Sequence, residues 1–121
     1  MIEWDPTDLL ECLEVEPTVD KSGVEHSYEV IKEGLKLIIS VFQYDGEIYF
    51  TLMRENESEH TIIDLKINQC PEITFSKIGK IEQLDFHPGR QSIEKFDKSY
   101  SITKGVRVQI KPDIKFELYE Q

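Results

Sequence analysis

The apolar residues of the first twenty positions have a helical spacing. Asp5 and Pro6 form a helix start, with Asp5 as the N-cap and Pro6 at the first helical position, where a missing N–H costs nothing. We predict a helix from about Pro6 to Glu14, and Pro17 stops it. At ~100° per residue, apolar and acidic residues fall on opposite sides of this helix. The apolar side carries Leu9, Leu10 and Leu13, and the acidic side carries Asp8, Glu11 and Glu14.

After the helix, the spacing of apolar residues changes to a period of two. Short runs rich in β-branched and aromatic residues are separated by turn residues, which predicts strands in an antiparallel meander. The run 35–44 is apolar on both faces, so we expect it to be a central strand. Asp45-Gly46 predicts a type I′ hairpin turn, because that turn needs positive φ at both central positions. The first four runs are 24–32, 35–44, 47–54 and 60–67.

The second half continues with shorter runs at 72–78 and 81–86 and a closing hairpin of 106–111 with 114–119. The stretch 90–104 is polar, and its weak pattern leaves a loop, an edge strand or a short helix open. We predict one domain over 1–121. Its expected fold is mainly β (α+β), an antiparallel β-sandwich or curled sheet of about seven to nine strands with one N-terminal helix.

Charge is unevenly distributed along the chain. The 121 residues have a net charge of −10. Residues 1–60 hold 15 Asp and Glu against 4 Lys and Arg, whereas residues 61–121 hold 9 against 10. A polyanion repels nucleic acid and anionic lipid and attracts basic protein surfaces, so we expect a basic protein partner, without nucleic acid or membrane. The alternative is that the acidic charge only keeps the domain soluble.

The cysteines and the apolar runs bear on the compartment. The longest apolar stretch is far shorter than the ~18 residues of a membrane-spanning helix, and the N-terminus lacks the pattern of a secretory signal, so we expect a cytoplasmic protein. Cys12 and Cys70 stand at unrelated positions. We expect two small, partly buried free thiols in a reducing interior, and a single bridge between them stays open.

Residues capable of catalysis do not form a recognisable motif. His26, His60 and His87 lie on separate runs, without the i, i+4 spacing that presents two ligands to zinc. We place Cys12 on the exposed flank of the helix, where acidic neighbours raise a thiol's pKa and no activating partner is visible. The glycines occupy turn positions outside any phosphate-binding pattern. We therefore predict no catalytic residue, no metal and no cofactor.

Aromatic residues suggest a binding surface. Trp4 and Tyr119 have amphipathic rings, and Tyr44 with Tyr49 flanks the Asp45-Gly46 turn near paired positions, so both rings could project from one face. Cross-strand packing of the two tyrosines for stability is the alternative. The predicted partner-binding residues are Asp8, Glu11, Glu14, Tyr44, Asp45, Glu47 and Tyr49.

The order of these features resembles a group of small, uncharacterised, acidic bacterial β-rich proteins. The resemblance covers most of the chain and rests on Trp4-Asp5-Pro6, the segment 8–15, Tyr44-Asp45-Gly46, and the segment 105–108 with Ile114. Some such proteins are similar to immunity proteins, which neutralise toxins. The resemblance implies a fold and a toxin as partner, and it transfers no catalytic residues.

We therefore predict a non-catalytic immunity-type inhibitor or antitoxin whose acidic surface meets a basic partner. Two alternatives remain open. One is a small enzyme or ligand-binding β-barrel with a pocket that contains a histidine and a carboxylate. The other is a self-assembling subunit, a homo-oligomer that buries the closing hairpin 106–119.

Overall fold

Two antiparallel sheets and one helix make up the computed structural model, which describes residues 1–56, 61–89 and 104–120. The first sheet has β1 to β5 and the second has β6 to β9, each in chain order. This arrangement confirms the predicted fold class. The elements are α1 (Pro6–Leu13), β1 (Thr18–Val19), β2 (Glu25–Lys32), β3 (Leu35–Phe42), β4 (Glu47–Arg54), β5 (Thr61–Ile67), β6 (Ile73–Ile78), β7 (Ile81–Phe86), β8 (Gly105–Gln109) and β9 (Lys115–Tyr119).

The helix begins as predicted and ends one residue early. The Asp5 carboxylate accepts hydrogen bonds from the Thr7 N–H at 3.0 Å and the Thr7 hydroxyl at 2.7 Å, which caps the N-terminus. Glu14 takes the left-handed conformation and closes the helix. The prediction that Leu10 faces inward is wrong, since it is 41% exposed. Cys12 is buried instead of Leu10, so the buried side of the helix consists of Leu9, Cys12 and Leu13.

Two turns of the first sheet connect β2 to β3 and β3 to β4, and only the second differs from its sequence signal. Lys32 pairs with Leu35, so Glu33 (φ 53°) and Gly34 (φ 80°) form a two-residue turn with the backbone signature of type I′. The type I′ prediction at Asp45-Gly46 is wrong. Phe42 pairs with Glu47 across a four-residue loop, 43–46, in which Gly46 alone has positive φ.

A tertiary contact explains the longer loop. The carbonyl of Gly46 accepts a hydrogen bond from the Cys70 N–H at 2.8 Å. A Cβ atom at position 46 would lie 3.2 Å from the Cα of Gln69. The glycine is therefore required for close packing of the loop against residues 69–70. A local turn signal gives no information about this tertiary contact.

Aromatic contacts join the inner faces of the two sheets. The ring of Phe50 in β4 meets Phe86 at 5.0 Å and Phe116 at 5.5 Å, both edge to face. Strand β3 is the middle strand of five, as predicted. Alternate residues of β3, β4 and the segment 106–110 are buried: Leu37, Ile39, Val41, Ile48, Phe50, Leu52, Val106, Val108 and Ile110.

The N-terminal segment links the two sheets, which the pattern did not predict. The Ile2 N–H donates to the Gln43 carbonyl at 2.9 Å, beside the 43–46 loop. Glu3 forms a parallel bridge with Glu72, and its carbonyl accepts from the Ile73 N–H at 3.0 Å. The helix that follows lies against β6 and β7. Of the weakly patterned stretch 90–104, residues 90–103 lie outside the described residues.

Candidate functional site

Four carboxylates follow one another along the helix at every third residue. We name Asp5, Asp8, Glu11 and Glu14 the acidic ridge, because side chains three apart are neighbours on a helix surface. Partial burial raises the pKa of the Asp8 carboxyl, and the charges of Asp5 and Glu11 raise it further. The three carboxylates therefore act on one another electrostatically. Within the described ranges, Asp8 and Glu11 form no ion pair.

Glu14 differs from the rest of the acidic ridge because a lysine neutralises it. The Lys111 ammonium lies 2.6 Å from the Glu14 carboxylate and 3.3 Å from that of Glu82. Lys77 lies 3.4 Å from the other oxygen of Glu82. Burial opposes ionisation of Glu82, yet the hydrogen bonds and charges of Lys111 and Lys77 outweigh it and lower its pKa. The structure thus assigns Glu14 to an ion-pair network rather than to the free acids.

The 43–46 loop separates the two tyrosines that the sequence placed together. Tyr49 pairs with Ser40 across β3 and β4, whereas Tyr44 lies in the loop and is 55% exposed. The prediction that they occupy paired positions is therefore wrong, because the turn has four residues. Asp45 is exposed beside Tyr44 and forms no ion pair within the part of the chain described.

Tyr49 and Glu47 belong to a network on the outer face of the first sheet. The Tyr49 hydroxyl donates to the Glu47 carboxylate at 2.8 Å, and its ring packs edge to face on Phe42 at 5.4 Å. The ammonium of Lys66 lies 5.2 Å from the Tyr49 ring centroid and 3.9 Å from Glu47. Burial raises the pKa of Tyr49, and the hydrogen bond to Glu47 adds to this. These two residues are less available to a partner than Tyr44 and Asp45.

A backbone hydrogen bond connects the two segments that carry the exposed members of the predicted set. The hydrogen bond between Ile2 and Gln43 places the N-terminal segment beside the 43–46 loop, and the helix starts four residues after Ile2. Trp4 lies between Ile2 and the helix in sequence, and its ring contacts His26 edge to face at 5.2 Å. We name the exposed groups of this region the N-terminal surface; they are Glu3, Asp8, Glu11, Tyr44 and Asp45.

Two acidic residues of the second sheet, Asp85 and Glu117, are neutralised by one arginine. Arg107 lies 2.8 Å from Asp85 and 3.5 Å from Glu117, which face it on the adjacent strands. Its guanidinium carbon lies 4.7 Å from the Tyr119 ring centroid. Sequence reasoning missed this group, because the four residues meet only through strand register. Tyr119, predicted as an interface aromatic, is half-buried here.

A histidine and a carboxylate also come close on the second sheet. The imidazole Nε2 of His87 lies 2.9 Å from the Thr74 hydroxyl, and its Nδ1 lies 3.7 Å from Glu72. The second distance is longer than a hydrogen bond, so Glu72 does not orient the ring as the acid of a catalytic triad does. His60 lies outside the described residues.

The two cysteines are free and buried. Cys12 is 1% exposed, so its predicted place on the exposed flank of the helix is wrong; its sulfur lies 3.8 Å from the Glu82 carbonyl. Burial raises the pKa of Cys12 to about 12, with the charge of Glu82 as the second cause. Burial likewise raises the pKa of Cys70 to about 12. Neither thiol is ionised at neutral pH, so neither is an activated nucleophile.

A pocket of about 280 Å³ lies at the turn between β8 and β9, lined by Gln109, Pro112, Asp113 and Lys115. These residues include a carboxylate but not the histidine that the enzyme alternative requires. Across residues 1–56, 61–89 and 104–120, no three His, Cys, Asp or Glu side chains are grouped to hold a metal ion. The same residues contain no helix that is long and apolar enough to cross a membrane.

Comparison with known proteins gives a likeness in fold. No protein-family model matches the chain, and no curated protein matches its sequence. Among solved structures, it is similar to a chain of the contact-dependent growth inhibition toxin–immunity protein complex from Klebsiella pneumoniae 342. The TM-score is 0.69 at 17% identity, and the match covers 97% of this chain and 95% of that one. Both chains therefore share one fold over nearly their whole length.

Proposed function

We propose that this protein is an immunity-type inhibitor, a non-catalytic protein that binds a toxin protein and blocks it. The observation that carries the proposal is the likeness in fold, over 97% of this chain, to a chain of a toxin–immunity protein complex. The sequence resemblance to small acidic bacterial proteins supports the same function. The two buried, free thiols fit the reducing cytoplasm as the compartment.

The proposed contact is the N-terminal surface, and its proposed partner is basic. Asp8, Glu11, Tyr44 and Asp45 are exposed or half-exposed, and within the described ranges the three acids have no ion pair to compete with a partner's Lys or Arg. The other three predicted residues border this surface: Glu14 is held by Lys111, and Glu47 with Tyr49 is held near Lys66. Tyr44 supplies an exposed ring beside the acids, which is a composition that interfaces favour.

Unpaired carboxylates act on a basic toxin in two ways. At long range they steer the encounter, which raises the association rate and makes it sensitive to salt. After docking, they occupy the basic groups that the toxin needs for its own substrate. A protein that only covers the partner's surface requires no catalytic group of its own, which agrees with the buried, un-ionised thiols.

The proposal implies that a toxin is encoded by the gene next to that of this chain, and the test is protection of cells from the toxin domain of that gene. We expect the parent protein to restore growth when both are expressed together, and Asp8→Lys with Glu11→Lys to protect poorly. The matched control is Glu33→Lys with Glu55→Lys, which makes the same change of net charge at two exposed acids. Both acids lie near the β2–β3 turn, because the Glu55 N–H donates to the Gly34 carbonyl at 2.8 Å. If neither the parent protein nor the control variant protects the cells, the proposal is contradicted.

A further inference from the structure

The hairpin between β6 and β7 ends in an exposed apolar pair. Ile78 and Ile81 face each other across the turn, with 74% and 47% of their surfaces exposed. Residues directly opposite in an antiparallel pair share one face, so the two side chains form a continuous apolar patch. Lys80 is exposed between them and, among the residues described, forms no ion pair. We name residues 77–81 the hairpin tip.

The hairpin tip lies beside the acidic helix. The helix packs against β6 and β7, and the Cys12 sulfur lies 3.8 Å from the carbonyl of Glu82, the residue that follows Ile81. Lys111 joins Glu82 to Glu14 at the helix end. Basic and apolar groups therefore lie near the Glu14 end of the acidic ridge. On the helix itself, Leu10 is 41% exposed.

Carboxylates alone do not explain a long-lived complex. Exposed charges mainly raise the association rate, because water and salt screen them. Slow dissociation depends on a few apolar or aromatic anchors that are fully desolvated in the interface. The N-terminal surface offers Tyr44 as a large exposed ring, whereas the hairpin tip offers two isoleucines on one rigid hairpin.

We infer that the hairpin tip is an apolar anchor of the same protein interface and fits an apolar socket with an acidic rim on the partner. The inference rests on the proposed function. Charge complementarity supports it: Lys80, which has no ion pair among the described residues, requires an acid on the partner, next to the basic groups that meet the acidic ridge. Opposite charges side by side fix the orientation, because a reversed docking places like charges together. The net charge of −10 disfavours an anionic lipid surface as the occupant.

The experiment measures binding kinetics with the purified toxin domain of the neighbouring gene. We expect Ile78→Ser with Ile81→Ser to dissociate at least about tenfold faster than the parent, with little change in association rate or its salt dependence. The matched control is Ile31→Ser with Ile62→Ser, which removes two isoleucines of 51% and 52% exposure from β2 and β5 of the other sheet. We expect the control to dissociate within about twofold of the parent rate, since it lies outside the interface.

A second variant keeps the inference testable if the double substitution disturbs the hairpin. Lys80→Glu leaves both isoleucines in place and should also accelerate dissociation, since it places a like charge against the acidic rim. Equal dissociation of the parent, the tip variants and the control overturns the inference and leaves the proposed function intact. If light scattering shows that the tip substitutions change only the self-association of this chain, the inference is overturned, and a second copy of this chain is the occupant of the hairpin tip. Failure of every form, parent included, to bind contradicts the proposed function and this inference with it.

Discussion

The ammonium of Lys111 lies 2.6 Å from the carboxylate of Glu14, so the turn between the last two strands is tied to the end of the helix. The same ammonium reaches Glu82 at 3.3 Å, at the start of β7. One side chain thus joins three elements that are far apart in sequence. The position of the acidic ridge relative to the second sheet depends on this contact.

Lys111→Met should lower the stability of the fold. The substitution removes both ion pairs and leaves the largely buried Glu82 carboxylate with Lys77 as its remaining described partner. Urea denaturation followed by circular dichroism should give a lower midpoint with an unchanged slope. Lys115→Met is the control, because Lys115 is exposed and has no ion pair in the described ranges. Equal midpoints for the two variants would contradict the role of Lys111.

The contribution of Lys111 should depend on pH in a defined window. The pKa of Glu82 is lowered from 4.5, so its share of the stability is present above pH 4.5 and is lost as pH falls through the lower folded value. The hydrogen bond to Glu14 raises the pKa of Lys111 from 10.5, so its share is present below pH 10.5 and lost at higher pH. The difference in unfolding free energy between the parent and Lys111→Met should therefore be constant near neutral pH and shrink in acid. A difference that grows in acid would be inconsistent with this ion-pair network.

Glu33→Asn should stabilise the protein by about 0.5–1 kcal/mol, because Glu33 has a left-handed φ of 53° that asparagine adopts at lower cost. The change creates the Asn-Gly pair that two-residue hairpin turns prefer. Asp45→Asn creates the same dipeptide at position 45, where φ is not positive, and should leave the unfolding free energy unchanged. The comparison, made by urea denaturation, separates true turn geometry from turn composition; equal effects would show that the backbone assignment at 33–34 is wrong.

Local patterns predicted the elements where apolar spacing and turn residues agree. Strands 47–54 and 81–86 were predicted to the residue, since alternation is regular and a polar turn stands at one end or both. The N-cap at Asp5 and the closing hairpin were also confirmed. The error at Asp45-Gly46 arose because Gly46 serves a contact with Gln69 and Cys70, which lie more than twenty residues away.

Features that depend on strand register or on tertiary neighbours could not be read from the sequence. The contacts of Arg107 with Asp85 and Glu117 require three adjacent strands in a fixed alignment. The burial of Cys12 depends on the way the helix lies on β6 and β7. The sequence predicted the candidate surface only as a list of acidic and aromatic residues. The structure then divided it into exposed acids and acids already held by Lys111 or Lys66.

Both thiols should resist modification in the folded protein. Burial raises the pKa of Cys12 and Cys70 to about 12, so at pH 8 the reactive thiolate is a minute fraction of each. Reaction with an aromatic disulfide reagent, followed by absorbance, should be at least about a hundredfold slower than in urea. Fast labelling of either cysteine without denaturant would contradict the buried positions.

The most direct test of the account is the association rate with the toxin domain of the neighbouring gene, measured by stopped-flow fluorescence over a range of salt concentrations. The account predicts fast association that slows steeply with added salt, and a rate reduced at least about tenfold at low salt by Asp8→Lys with Glu11→Lys. The control Glu33→Lys with Glu55→Lys should retain most of the parent rate. An association rate that is insensitive to salt, or an equal loss in both charge variants, would contradict binding through the N-terminal surface.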